Sequence, residues 1–189
     1  MQSSVIENMA TSLQNAPVRW TGAFCNEVAM FSITLLCMGK LKEKFYTAAA
    51  EEYSKRLRAF ADFRIVELPE YRLPDDPNET QIAQGLAREA EAIRKAIPKG
   101  AWLCVLTPEG RLLSSEELAS VLHGVKTGGR SAACFLIGSS FGIDPSIKAM
   151  ADLKLSMSKM TFPHHLARVM ALEQLYRAES IQAGTKYHK

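Results

Sequence analysis

The chain has 189 residues, a length typical of one domain that buries its own core without disulfides or metal ions. Its 23 Lys and Arg against 20 Asp and Glu give a formal charge of +3, which by itself does not indicate a strong nucleic-acid binder, whose mark is a concentrated basic face. By sequence, no apolar stretch is long enough to span a bilayer. We therefore expect a cytoplasmic protein that does not bind a membrane.

The first 29 residues are polar and unpatterned, unlike the rest of the chain. The apolar run at residues 28–38 comes late and has only Arg19 as a positive charge before it, which does not fit a signal peptide. We expect residues 1–29 to be an N-terminal extension that is disordered or belongs to a mis-assigned start. Residues 30–189 are expected to form a single domain.

The four cysteines, at positions 25, 37, 104 and 134, have no CxxC spacing. Three of them lie inside apolar runs, where a free cysteine behaves as a small buried hydrophobe. This pattern indicates a reducing compartment and predicts no metal site.

From Phe31 onwards, short apolar runs alternate with longer helical patterns, which predicts a parallel sheet with crossover helices and hence an α/β fold. The first run, FSITLLCMG, is a predicted buried strand. In the helix pattern that follows, an apolar stripe is predicted to face inward. Its members are Phe45, Ala49, Tyr53, Leu57 and Phe60.

FRIVELP is the second predicted strand, and the segment EYRLPDDPNE after it is read as an exposed loop because it is rich in proline and acid. The helix after this loop is predicted to turn an apolar stripe inward, made of Ile82, Leu86, Ala90 and Ile93. WLCVL is the third strand, and TPEGRLLSS is predicted to turn into a helix that starts with a capping box from Ser114 to Glu117. ACFLIG and LKLSMS are the fourth and fifth strands, separated by a short helix that Asp144 caps and Pro145 opens. The closing helix is predicted from about Pro163 to Gln182.

Ligands of parallel sheets bind beyond the carboxyl ends of the strands, which here points to the positions after Leu106, Ile137 and Leu155. The turn IGSSFG is not a GxGxxG motif, so a plain tight turn is the alternative to a ligand loop. The loop SMSKMTF is mostly apolar and offers hydrogen bonds from Ser158 and Thr161, and its alternative is a loop at the edge of the core. Together these loops would form an apolar slot lined by backbone groups, suited to a purine and a thioether or sulfonium.

The closing helix carries further candidate residues. His164 and His165 are neighbours and point about 100° apart, so they do not converge on one metal ion, and hydrogen bonds to backbone or water are the alternative. The helix has apolar residues on more than one stripe, which indicates either a subunit interface or deep insertion in the core. Arg168 is either functional or an ordinary paired charge, and the tail GTKYHK is either a frayed end or a clamp that stacks on a base and contacts phosphate.

Five stretches together closely resemble a bacterial family of SPOUT-class methyltransferases that methylate a pseudouridine of large-subunit ribosomal RNA. They are FSITLLCMGKLKEKFYTAAAEEYSKRL, CVLTPEGRLLSSEELA, FLIGSSFG, LSMSKMTFPHHLARVMALEQLYRA and the terminal YHK. The likeness covers residues 30–189. It implies a homodimer, a carboxyl-terminal trefoil knot, S-adenosylmethionine as the methyl donor, and ribosomal RNA within the ribosome as the partner.

The resemblance also implies site residues. The donor would be contacted by Leu106, Gly138, Met157, Ser158, Lys159, Met160, Thr161 and Phe162. The groups expected to contact RNA or handle the proton are His164, Arg168, Tyr187 and His188, with Arg168 and His188 foremost for RNA. The chain departs from the family at Ser139, which stands where a second glycine is usual.

The expected reaction is methylation of ring nitrogen 3 of a pseudouridine, on the assembled ribosome. A sulfonium methyl group is already activated, so the enzyme mainly aligns the nucleophile and excludes water. The first alternative is a ribosome-binding dimer of the same fold that has lost activity. A nucleotide-dependent oxidoreductase is the second alternative, and the missing GxGxxG motif counts against it.

Overall fold

Five parallel strands form one sheet in the computed structural model, which describes residues 30–187. The strands are β1 (Ser32–Met38), β2 (Asp62–Leu68), β3 (Trp102–Leu112), β4 (Ala132–Ile137) and β5 (Leu153–Ser156). Their order across the sheet is β2-β1-β4-β3-β5. The predicted extension at residues 1–29 and the candidate His188 lie outside the described residues.

Helices cover both faces of the sheet. They are α1 (Lys44–Leu57), α2 (Glu79–Ala96), α3 (Ser115–Thr127), α4 (Pro145–Met150) and α5 (His164–Gln182). Apolar residues of α1, α3 and α5 share one core cluster with the sheet, and those of α2 and α4 share the other. The predicted α/β fold with a parallel sheet and flanking helices is confirmed. No helix within residues 30–187 has the length and apolarity needed to cross a membrane.

Local sequence signals fix several helix starts. The Ser114 hydroxyl accepts the Glu117 N–H and the Glu117 carboxylate accepts the Ser114 N–H, so the predicted capping box is confirmed. The Asp144 carboxylate accepts the Ser146 N–H at 2.8 Å, with Pro145 in the first turn, as expected for α4. Buried Cys37, Cys104 and Cys134 are free thiols within the apolar strands, as their surroundings predicted.

The inward face of α1 differs from the prediction. Phe45 is 65% exposed and packs its ring on Tyr46 at the surface, with centroids 4.3 Å apart. Leu57 is buried as predicted, and the buried face also carries Ala50 and Ser54, which were not predicted. Ser54 is accommodated there because its hydroxyl donates to the Ala50 carbonyl at 2.6 Å, which satisfies a polar group inside the core.

Strand β3 is longer than the sequence predicted, because the stretch expected to turn after Leu106 continues in the sheet to Leu112. The ladder with β5 shifts register between Leu106 and Arg111, and Arg111 and Leu112 then pair with Leu155 and Ser156. The extra pairing depends on the edge of a strand more than 40 residues further along the chain, which local composition does not reveal. A Cβ at Gly110 would lie 2.5 Å from the Leu155 carbonyl carbon, so the close approach requires glycine.

Candidate functional site

A cavity of about 510 Å³ lies at the carboxyl ends of β4 and β5 and beside the register shift that follows Leu106 within β3. Because these strands are neighbours in the sheet, the three positions predicted from sequence, after Leu106, Ile137 and Leu155, meet there. The cavity is lined by residues 106–108, 137–140, 142–143, 156–158 and 160–164, with Lys148 and Ala167. Of the eight residues expected to contact a methyl donor, the structure brings all but Lys159 to this cavity.

The wall after β4 is a glycine-dependent turn. A Cβ at Gly138 would lie 2.3 Å from the Ile143 side chain and 2.4 Å from the Gly142 carbonyl oxygen. Gly142 has a φ of +99°, and its N–H donates to the Ser139 carbonyl at 3.0 Å. The turn therefore presents backbone to the cavity at very close range.

The wall after β3 is tied to α4 by an ion pair that sequence reasoning missed. The Lys148 ammonium lies 2.6 Å from the Glu109 carboxylate, which also accepts a hydrogen bond from the Thr107 hydroxyl. Hydrogen bonds from Lys148 and then Thr107 lower the pKa of Glu109 to about 2, so this carboxylate is charged at neutral pH. Only the proximity of β3 and α4 in the fold brings the pair together, and no motif signals it.

The third wall is the loop between β5 and α5, which is organised by its serines. The Ser156 hydroxyl donates to the Ser158 carbonyl at 2.9 Å, and the Met160 N–H donates to the Ser158 hydroxyl oxygen at 3.0 Å. The Met160 side chain is 72% exposed at the rim of the cavity. The loop is thus held by its own hydrogen bonds and leaves apolar side chains to meet a ligand.

His164 begins α5 and faces the cavity. Its ring is edge-on to that of His165, with centroids 4.1 Å apart. His165 in turn lies 3.5 Å from the Glu43 carboxylate. Burial, with a smaller contribution from His165, lowers the pKa of His164. Its imidazole is therefore neutral at pH 7 and has a free lone pair to accept a proton.

Arg168, which the sequence suggested as an RNA-contacting residue, is buried within the described chain. Its side chain is 1% exposed. The guanidinium pairs with Glu67 at the end of β2 and donates to the carbonyls of Gly39 at 2.9 Å and Met38 at 3.3 Å. A buried cation needs such partners, and those of Arg168 bind α5 to the loop after β1.

Tyr187 lies against the middle of α5 in its own chain. Its hydroxyl donates to the Glu173 carboxylate at 3.1 Å, and its ring packs on Tyr176 and beneath the Arg177 guanidinium. Ala167 is the last residue of α5 that lines the cavity, and six residues of helix separate it from Glu173, a rise of about 9 Å. The structure therefore does not bring Tyr187 to the cavity of its own chain.

No group of three or more His, Cys, Asp or Glu within residues 30–187 is arranged to hold a metal ion. A cavity at this edge of a parallel sheet is the usual ligand site of such folds, and the family model that matches most of the chain makes the protein a methyltransferase.

The chain belongs to the SPOUT methyltransferase family. The family model described as "Predicted SPOUT methyltransferase" matches residues 31–188. The chain is 43% identical over 160 residues to "Ribosomal RNA large subunit methyltransferase H" of Moorella thermoacetica, covering 85% of this chain and 100% of that protein. The protein of the same name from Bifidobacterium adolescentis is 45% identical over 157 residues, covering 83% of this chain and 99% of the relative. The resemblance to SPOUT methyltransferases found from sequence motifs is confirmed.

Solved structures give a more distant match. A "Probable Methyltransferase from Bordetella pertussis Tohama I" aligns with a TM-score of 0.47 and 12% identity, covering 79% of this chain and 95% of that one.

Proposed function

We propose that this methyltransferase transfers a methyl group from S-adenosylmethionine to ring nitrogen 3 of a pseudouridine in large-subunit ribosomal RNA, on the assembled ribosome in the cytoplasm. The observation that carries the proposal is the cavity beside β3, β4 and β5, where three of the five stretches that resemble the family meet. Two relatives that match this chain over nearly their full length are named as large-subunit ribosomal RNA methyltransferases. These names support the choice of RNA substrate.

The cavity suits this donor. Its volume of about 510 Å³ falls within the range of about 300–1,000 Å³ usual for sites of small molecules. Its one lysine, Lys148, is already paired with Glu109, so the lining has little free positive charge for a phosphate. Backbone groups beside Gly138 and the apolar side chains of Met157 and Phe162 fit a purine and the alkyl groups of a sulfonium. The donor supplies a methyl group that is already activated for transfer.

His164 is the residue that we propose accepts the proton. For each turnover, nitrogen 3 of the base loses its proton and forms a bond to the methyl carbon, while the bond from that carbon to sulfur breaks and its electron pair stays on sulfur. A neutral imidazole at the cavity is suited to remove the proton. The protonated histidine then returns its proton to solvent.

Recognition of the RNA is proposed to depend on the assembled ribosome. A formal charge of +3 per chain gives weak attraction for free RNA, so the shape of the ribosome has to supply the remaining specificity. The homodimer and the trefoil knot stay predictions from the family resemblance. Tyr187 is docked on its own α5, so a role for the tail at a cavity would be served by the cavity of a partner chain.

The test is methylation of ribosomes from a strain that lacks the modification, with labelled S-adenosylmethionine and mapping of the labelled nucleoside. We expect one labelled N3-methylated pseudouridine in the large subunit and little label in free RNA. Ribosome binding without label, and without heat on addition of the donor, would instead favour the non-catalytic dimer. Stabilisation by NADH and none by S-adenosylmethionine would favour an oxidoreductase.

A further inference from the structure

Glu89 is a buried carboxylate on α2 that the proposed reaction does not use. Its residue is 6% exposed. One carboxylate oxygen accepts the Tyr71 N–H at 2.9 Å, and the other accepts the Ser139 hydroxyl at 2.8 Å. Both donors are uncharged, and burial is the main cause of a raised pKa for this carboxyl group. A buried carboxylate destabilises the folded protein unless both of its oxygens are hydrogen-bonded. Tyr71, Glu89 and Ser139 therefore form one hydrogen-bonded unit.

The Ser139 end of this unit belongs to the wall of the cavity. Ser139 follows Gly138 in the tight turn after β4, and its carbonyl accepts the Gly142 N–H. The Ser139 hydroxyl, through its bond to Glu89, holds this turn against α2.

The Tyr71 end belongs to the segment after β2. That segment is packed closely on α2, because a Cβ at Gly85 would lie 3.1 Å from the Tyr71 ring and 3.3 Å from Leu73. The Arg88 guanidinium lies over the Tyr71 ring, 5.5 Å from its centroid. The charge of the preceding residue, Glu70, partly offsets the lowering of the pKa of His164. The segment is thus held on α2 both by packing and by the hydrogen bond from Tyr71 to Glu89.

We propose that Glu89 is a positioning residue, which fixes the turn at Ser139 that lines the cavity by tying it to α2 and to the segment at Tyr71. One side chain thereby sets the position of one wall of the cavity. The inference rests on the proposed function only for its donor-binding readout, since the two hydrogen bonds exist independently of any ligand.

The first test is a double-mutant cycle on donor affinity, measured by calorimetry with S-adenosylmethionine. Glu89→Ala and Ser139→Ala should each weaken binding about tenfold, the usual scale for one hydrogen bond to a charged group. The double variant should bind no more weakly than Glu89→Ala, because both changes break the same link. Glu89→Gln should stay within about threefold of wild type, since its amide oxygen can accept from Tyr71 and its NH₂ can donate to Ser139.

The second test is amide hydrogen exchange in the ligand-free protein, which does not require donor binding. Glu89→Ala should speed exchange at both Tyr71 and Gly142, whereas Ser139→Ala should speed it at Gly142 alone, with α5 unchanged in both variants. Ser139→Ala removes only a hydroxyl and keeps the cycle informative if Glu89→Ala folds poorly.

Additive losses of affinity, or unaltered exchange at Gly142 in the Glu89→Ala protein, would overturn the inference. A lowered melting temperature with unchanged donor affinity would also overturn it, since Glu89 would then be merely structural. A wild-type protein that fails to bind S-adenosylmethionine would refute the proposed function instead, and the exchange experiment would still decide the role of Glu89.

Discussion

At the scale of single residues, Arg168 is the clearest case of a side chain whose role depends on burial. Sequence placed it on the helix after the donor loop, which suggested RNA contact. Its guanidinium instead holds Glu67 and the carbonyls of Met38 and Gly39. These contacts tie α5 to β2 and to the end of β1.

We predict that Arg168→Ala lowers the free energy of unfolding by about 3 kcal/mol, because the change breaks a pair with one wholly buried partner. Urea denaturation measures this. The control is Arg56→Ala, which breaks an exposed pair with Glu52 on one helix face and should leave the free energy of unfolding nearly unchanged. An Arg168→Ala protein as stable as wild type that has lost only methylation of ribosomes would restore the original RNA-contact hypothesis.

His164 gives a prediction for pH. Because burial lowers its pKa, the imidazole stays neutral until the pH falls below the usual histidine value of 6.5. The methylation rate should therefore decline on the acid side with a midpoint below 6.5, as His164 gains a proton and can no longer accept one. His164→Gln should lower the rate about 100-fold and remove this decline, as loss of a general base does.

A matched control is available in His123, an exposed histidine on α3. His123→Gln should leave both the rate and its pH profile unchanged. An acid decline that survives in the His164→Gln protein would assign the proton to another group.

At the scale of the elements, local sequence predicted most of the fold, since five strands, five helices and two caps lie where periodicity and capping residues indicated. Prediction from local sequence failed where pairing with a distant strand sets the end of a strand, or where a hydrogen bond inside the core decides which helix face is buried. The extension of β3 depends on pairing with β5, and the buried face of α1 includes Ser54. The loops of the cavity were predictable because strand ends of a parallel sheet share an edge, whereas Glu89 and Lys148 reach it from other helices.

The turn after β4 carries a prediction at this scale. Gly138→Ala should abolish detectable donor binding, because the new methyl group would overlap the Gly142 carbonyl and force the turn to move. Calorimetry with S-adenosylmethionine measures the loss. Gly124→Ala in α3 is the control, since a Cβ there meets nothing within 4 Å and alanine favours the helix. Donor binding that survives Gly138→Ala would place the donor away from this turn.

At the scale of the whole molecule, the tail and the cavity are separate in one chain. Removing residues 187–189 removes the packing of the Tyr187 ring on Tyr176 and Arg177, two residues at the surface of α5. We predict a melting temperature within a few degrees of wild type and a turnover on ribosomes at least tenfold lower. Tyr187→Phe, which loses only the hydrogen bond to Glu173, is the milder comparison. Full turnover by the truncated protein would remove the tail from the mechanism.

Two closely packed glycines, one of which lines the cavity, also bear on how this enzyme tolerates sequence change. Gly110 and Gly138 each lie where a single added carbon would strike main-chain atoms, whereas the rim at Met160 is open to solvent. Random mutagenesis under selection for methylation should thus recover many different side chains at the rim and none at those two glycines. The main chain sets the shape of this region, so selection should act most strongly at the positions where no side chain fits.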